Sequence, residues 1–443
     1  MPQPTELTTA PVLPVLFRLS APNMLAMFAT TLVSVAETIY VGRLGVAPLA
    51  GMALVFPIIM LQQMLSGGSM GGAISASISR ALGGQQTDRA DALAWHACCI
   101  GFALGLFFTL MLLGLGTALY ATLGGQGEAL QAALQYSDVA FSASVGIWML
   151  NVLASIVRAS GDMRTPSATL LVVAVGQILL GGAFGLGWGP IPAGGMAGVA
   201  SGLAWSYCLG ALFLGQHILR NRARVRINWR APLRWALFAP ILKVGGVASL
   251  SAIQTVLTIM VVTRIVAGFG DHALAGYGIG SRLEFLLVPI TFAVGVACVP
   301  LVGMALGAGL IERARRIAWT GATLVGLVLG LVGVAVALWP ELWSARFTEQ
   351  PEVLAHAAQY FAWVGPFYGL FGVGLCLYFA SQGAGKLWGP VLAGTLRFTW
   401  VAVGGWWLLL VGASVQAMFA VIASGMFLYG TGTAFAVWRT RWE

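Results

Sequence analysis

Long apolar runs separated by short polar breaks fill the chain from near its start to its last residues. A bilayer-spanning helix needs about 20 mainly apolar residues. Twelve runs meet that length: residues 15–41, 47–79, 92–119, 129–157, 165–187, 195–219, 240–268, 273–307, 317–345, 353–380, 388–411 and 414–438. Several exceed what the bilayer requires, and tilt or protruding ends absorb the excess. Pro22, Pro57, Pro289 and Pro300 fall inside runs, where proline frees a carbonyl and permits a bend. The pattern predicts an all-α membrane protein of twelve transmembrane helices.

The runs also repeat. Residues 81–95 read ALGGQQTDRADALAW, and residues 305–319 read ALGAGLIERARRIAW. Both carry Ala-Leu-Gly, an acid followed by Arg-Ala, and a closing Ala-Trp. Gly45 and Leu49-Ala50-Gly51 pair with Gly270 and Leu274-Ala275-Gly276, and Gln135-Tyr136 pairs with Gln359-Tyr360, all at nearly one spacing. Ala159-Ser160 resembles Ala380-Ser381 after small insertions. Each half then holds six spans. Six is even, so the halves share one orientation and form parallel repeats about an axis along the membrane normal. The expected organisation is an N-terminal six-helix lobe over 1–219, a basic cytoplasmic linker over 220–239 and a C-terminal six-helix lobe over 240–443.

Composition agrees with a membrane setting. The chain is 59% hydrophobic and 8% charged, against about 25% charged in soluble domains. An ordinary water-facing surface is therefore excluded. The 59 glycines let helix backbones approach closely in lipid. Five cysteines, all in apolar runs, and four scattered histidines show no metal-ligand spacing. The stretch from Gly182 to Gly189 follows no strand, and no Walker motif is present, so neither a nucleotide site nor ATP drive is expected. No metal or cofactor is expected.

The net charge of +9 is a topology signal. Taking the breaks alternately, one set holds 17 of the 23 Lys and Arg residues, including the cluster from Arg220 to Lys243, and the other holds only Arg43 and Arg346. Basic residues favour the cytoplasmic side. Both termini are thus expected in the cytoplasm, with the linker arginines near anionic headgroups. This charge calls for no nucleic-acid partner. The expected partners are membrane lipids and small-molecule substrates, and the chain is read as a monomer in a bacterial inner membrane. Trp438 and Trp442 read as interfacial anchors.

Ionisable residues inside spans are costly and usually functional. Glu37 lies near the outer end of the first span, Asp138 in the fourth, Arg282 and Glu284 in the eighth, Arg397 in the eleventh and Arg264 near the outer end of the seventh. Glu37 is the first candidate: a carboxylate in a partly dry cavity can exchange protons near neutral pH. Its repeat partner is Val262, and that of Glu284 is Ile59, so the acids break the symmetry of the scaffold. Glu284 and Arg397 both fall near mid-membrane and are expected to form an ion pair in the second lobe. Asp138 is a candidate polar residue of the cavity. Trp363, Phe367, Tyr368, Phe371 and Tyr378 cluster on the tenth span; most are expected to pack, with some offering ring faces to cations.

The chain resembles the MATE multidrug and toxic-compound extrusion family over nearly its whole length. The resemblance is carried by SAPNML and AETIYVGRLG in the first span, LAG in the second, RALGGQ, RASGDMRTP after the fourth, LAGYGIGSRLE in the eighth and the GAG turn at 307–309. It implies a twelve-helix, two-lobed antiporter that exports amphipathic, often cationic, compounds in exchange for H⁺ or Na⁺. It also implies that Glu37 couples the fluxes, with Gln177 as a hydrogen-bonding cavity partner. Three departures favour protons over Na⁺. The chain has Glu37 where members commonly carry Asp. It has no acids deep in spans seven and ten. In span five it has Gln177 and Gly181 where many members have Asn and Asp. The rival reading is a flippase of lipid-linked precursors, for which Arg264, Arg282 and Arg397 are the candidate basic residues. An intramembrane enzyme would need a cluster of His, Asp or Ser that the sequence does not offer.

Overall fold

The computed structural model describes residues 4–442, and all regular structure among them is helical. After a short helix over Pro4–Thr9 come α1 (Val12–Leu44), α2 (Val46–Gly83), α3 (Thr87–Thr122) and α4 (Gly127–Ser142 with Ser144–Ala159). α5 (Arg164–Leu186), α6 (Gly195–Leu219), α7 (Trp235–Ala267) and α8 (Asp271–Gly307) follow. The chain ends with α9 (Ile311–Leu338), α10 (Pro351–Ala384), α11 (Trp388–Leu410) and α12 (Val415–Arg439).

Ten of these helices are long and apolar enough to cross a membrane, and α4 makes an eleventh when its two pieces, bent by 47°, count as one span. α11 has 23 residues, or about 34 Å at 1.5 Å per residue. Four tryptophans and Arg397 lower its hydropathy without shortening it. The run expected to reach residue 345 stops at Leu338, where Pro340 cannot donate to a continuing helix. Trp438 is exposed as an anchor requires, but Trp442 is buried against the second lobe, its indole N–H donating to the Val437 carbonyl.

The repeat has a backbone cause. Gly45 and Gly270, at the α1–α2 and α7–α8 corners, have φ of +127° and +106°, a conformation side chains resist. At Gly51, a Cβ would lie 2.7 Å from the amide of Ala133 on α4; at Gly276, one would lie 2.9 Å from the amide of Ala357 on α10. The same close approach is thus built twice, with glycine required each time.

Packing divides into two main buried clusters, one centred on α1–α6 and the other on α7–α12. The division is not clean at the end where basic residues gather. Val12, Leu16 and Leu19 of α1 belong to the second cluster, and Ile241, Val244 and Ala248 of α7 belong to the first. Each half therefore lends the first turns of its first span to the other lobe. α2 and α8 complete the junction: Gly83 faces the Met304 backbone, and Gly307 faces Arg80. The far half of α2 (Val46–Gln63) packs on α4 of its own lobe and only thinly on α7. The lobes thus close on each other at the basic end.

α2 does not run straight through. Met64–Met70, reading MLSGGSM, is a π-helical turn. Such turns are rare and concentrate at functional sites.

Candidate functional site

Glu37 lies seven residues before the end of α1 at Leu44, about 10 Å inward, deeper than the single turn expected. It is 5% exposed. Gln177 of α5 donates its amide N–H to Oε1 at 2.9 Å, and the Tyr136 hydroxyl of α4 reaches both carboxylate oxygens at 3.3 and 3.4 Å. Both donors are neutral, and among the described residues no basic side chain pairs with Glu37. A carboxylate is acceptor-only when ionised and gains a donor when protonated. The Tyr136 hydroxyl can serve either form by rotating.

A polar thread continues from this group through the first lobe. Tyr207 of α6 lies close enough to feel the charge of Glu37 and accepts a hydrogen bond from Gln63 Nε2 at 2.8 Å. Asn151 Nδ2 donates to Gln63 Oε1 at 3.3 Å and to Ser66 Oγ at 2.9 Å. Ser66 sits in the π-helical turn of α2. Hydrogen bonds therefore run from Tyr207, near the carboxylate and in the part of the lobe away from the junction, to the element that meets the second lobe.

At the junction, Gln382 of α10 donates to the carbonyls of Gly68 and Ser69 in that turn, at 3.1 and 2.9 Å. Gly68 O also accepts from the Gly71 amide at the end of the turn. Gly72 gives the amide room: a Cβ there would overlap the Gln382 side chain. Arg80 of α2 donates to Ala384 O at 3.3 Å, at the end of α10, and Asn23 of α1 donates to Ala293 O of α8 at 3.3 Å.

The second lobe holds its own half-buried acid, with a different arrangement from the one expected. Glu284 accepts from the hydroxyls of Tyr360 and Tyr368 on α10. Arg397 makes no direct ion pair with it. The guanidinium instead lies over the rings of Phe371 and Tyr429, with centroids at 4.8 and 5.8 Å, within electrostatic reach of Glu284. Depth was read correctly: Glu284 is thirteen residues past Asp271, and Arg397 thirteen before Leu410. Direct pairing was not: Arg397 takes the ring faces of Phe371 and Tyr429, and Glu284 takes the tyrosine hydroxyls. Of the α10 aromatics, Tyr368 thus holds the acid and Phe371 offers a face to the cation, whereas Trp363 is exposed.

Asp138 does not join the site. It is exposed, two residues from Tyr136 on the opposite side of α4, near Tyr120 of α3. Positions two apart on a helix do not share a face. Arg264 and Arg282 are exposed, the latter over the Phe347 ring. All five cysteines are free, and no metal-ligating cluster occurs among the described residues.

Sequence reasoning missed Tyr136, Gln63, Asn151, Tyr207 and Gln382. Tyr136 had been noticed only as a repeat marker. Its counterpart Tyr360 also donates to a carboxylate, on a different span of the other lobe. The repeat thus supplies the donor twice, and each lobe brings its acid from a different helix.

A multi-pass helical bundle in two parallel lobes, with a buried carboxylate linked to the lobe junction, has the form of a membrane transporter. The MatE family model matches the chain twice, over residues 22–181 and 248–407, once in each half. The chain belongs to the MatE family. It is 24% identical to a FAD transporter of Shewanella oneidensis, over 83% of this chain and 81% of that one. It is 24% identical to a probable multidrug resistance protein NorM of Thermotoga maritima, over 87% and 83%. A MOP superfamily transporter from Pyrococcus furiosus superposes with a TM-score of 0.89 at 22% identity, covering 98% of this chain and 97% of that one. An outward-facing multidrug resistance MATE family transporter gives the same TM-score, identity and coverage.

Proposed function

We propose that this protein exports amphipathic organic cations in exchange for protons, with Glu37 as the coupling carboxylate. The observation that carries the reading is a deeply buried carboxylate held only by neutral donors. Such a group has no fixed counter-charge. Its negative charge is balanced by a proton or by a substrate cation, and the two compete. Proton entry neutralises Glu37 and releases the cation; proton loss restores the attraction. The thread through Tyr207, Gln63, Asn151 and Ser66 supports a link between this exchange and the lobe junction, because its last member sits in the turn that Gln382 grips. With the basic end in the cytoplasm, the closed junction described above faces inward, and the carboxylate is nearer the outer face.

The test is transport by the purified chain in proteoliposomes, with H⁺ and Na⁺ gradients imposed separately. A cationic dye and flavin adenine dinucleotide serve as cargoes, the second because one relative is named a FAD transporter. We expect dye movement driven by the H⁺ gradient alone. Movement driven only by Na⁺ overturns the proton assignment, and movement of the dinucleotide without the dye overturns the cationic cargo.

A further inference from the structure

We propose that Arg158 and Ser75 bind a single small inorganic anion, of the size of chloride, at the junction between the lobes. In the sequence Arg158 belongs with the loop charges of the basic end. In the structure it is the next-to-last residue of α4 and only 5% exposed. It forms no ion pair or hydrogen bond among the described residues, and its Nε is buried without an acceptor. The nearest acid along the chain, Asp162, is engaged elsewhere. Its oxygens accept from the amides of Arg164 and Thr165 at 3.0 and 3.1 Å and from the Thr165 hydroxyl at 2.7 Å, capping α5.

Arg158 lines a small cavity with Gly68, Ser75 and Ser155 of the first lobe and Val299 and Phe379 of the second. The Ser75 hydroxyl is buried and also without a partner. Two unengaged donors, one of them charged, thus face one space. The apolar walls from Val299 and Phe379 lower the local dielectric and strengthen any charge held there. A buried charge left uncompensated costs several kcal/mol. Among the described residues no carboxylate compensates this one, so the counter-charge comes from solution. The cavity volume, ≈ 10 Å³, is about that of one water-sized sphere. That leaves room for nothing larger than a single small ion and excludes phosphate or a carboxylate ligand. Because both lobes wall the cavity, the anion stabilises the closed junction and leaves when the lobes part and water reaches Arg158.

The test uses the full chain in lipid nanodiscs, with chloride replaced by gluconate at constant ionic strength. We expect the unfolding midpoint to rise with the logarithm of chloride concentration once the site fills, as for any ligand that binds only the folded form. Arg158→Met should abolish that rise, and Ser75→Ala should shift its onset to several-fold higher chloride. Bromide should substitute, with its anomalous scattering peak beside Arg158. Equal midpoints in the two salts, or an unchanged chloride response in the Arg158→Met or Ser75→Ala variant, would overturn the site and leave the cavity to water. If Arg158→Met fails to fold, Ser75→Ala and the bromide peak decide.

Discussion

Neutral donors hold both Glu37 and Glu284, and this determines what substitution of Glu37 does. Glu37→Gln keeps an oxygen for the Gln177 amide, and its new N–H₂ finds the Tyr136 hydroxyl as an acceptor. Expression and folding should therefore survive, while export driven by a proton gradient falls by an order of magnitude or more. Glu37→Asp keeps the carboxylate on a shorter stem and should retain partial activity with an altered pH profile. Cation binding by the parent should weaken as pH falls, and the Gln variant should lose that dependence. Undiminished proton-driven export by the Gln variant in proteoliposomes would remove Glu37 from its role. Glu37 was legible in the sequence because a carboxylate inside an apolar run is conspicuous. Tyr136 was not, because tyrosine is common in spans and nothing in its neighbours marks which way its hydroxyl points. The Glu284–Arg397 expectation had depth on its side, but depth along a helix does not fix the angle around it.

At the scale of elements, the π-helical turn of α2 does the work that a cofactor or loop does in other proteins. It presents the carbonyls of Gly68 and Ser69 to Gln382 while keeping the span continuous. Removing the amide takes away two inter-lobe hydrogen bonds, each worth about 0.5–1.5 kcal/mol net, so Gln382→Ala should loosen the junction. In a cysteine-free background, a Val299→Cys probe beside the junction should react with a membrane-permeant thiol reagent roughly tenfold faster when Gln382→Ala is added, since about 1.4 kcal/mol corresponds to a factor of ten. Equal rates would mean that Gln382 does not hold the junction shut. No sequence signal announced the turn: Ser-Gly-Gly-Ser reads as small-residue packing.

At the scale of the whole molecule, the two-lobe plan was legible because its causes are local and repeated: a positive-φ glycine at each corner, and a glycine under each crossing of α2 on α4 and of α8 on α10. The exchange of first turns between lobes was not, since the apolar residues of α1 and α7 say only that they are buried, not against what. Orientation rests on the basic residues. Single cysteines at Arg230 in the linker and at Gln126 before α4, both exposed, should label from opposite sides of the membrane. Labelling of both from outside intact cells would end the assignment of the basic end to the cytoplasm.

The hydrogen bonds across the junction share one chemical asymmetry. Arg80, Asn23 and Gln382 donate from side chains, and Ala384, Ala293, Gly68 and Ser69 accept through the main chain. Heredity writes only side chains, so half of this contact lies beyond the reach of point mutation. A donor can be deleted by a single codon change, whereas an acceptor persists under nearly any residue its space admits. Descendants of this gene can therefore retune how tightly the lobes meet by changing three or four letters. The surface that receives those donors stays the same while they do so.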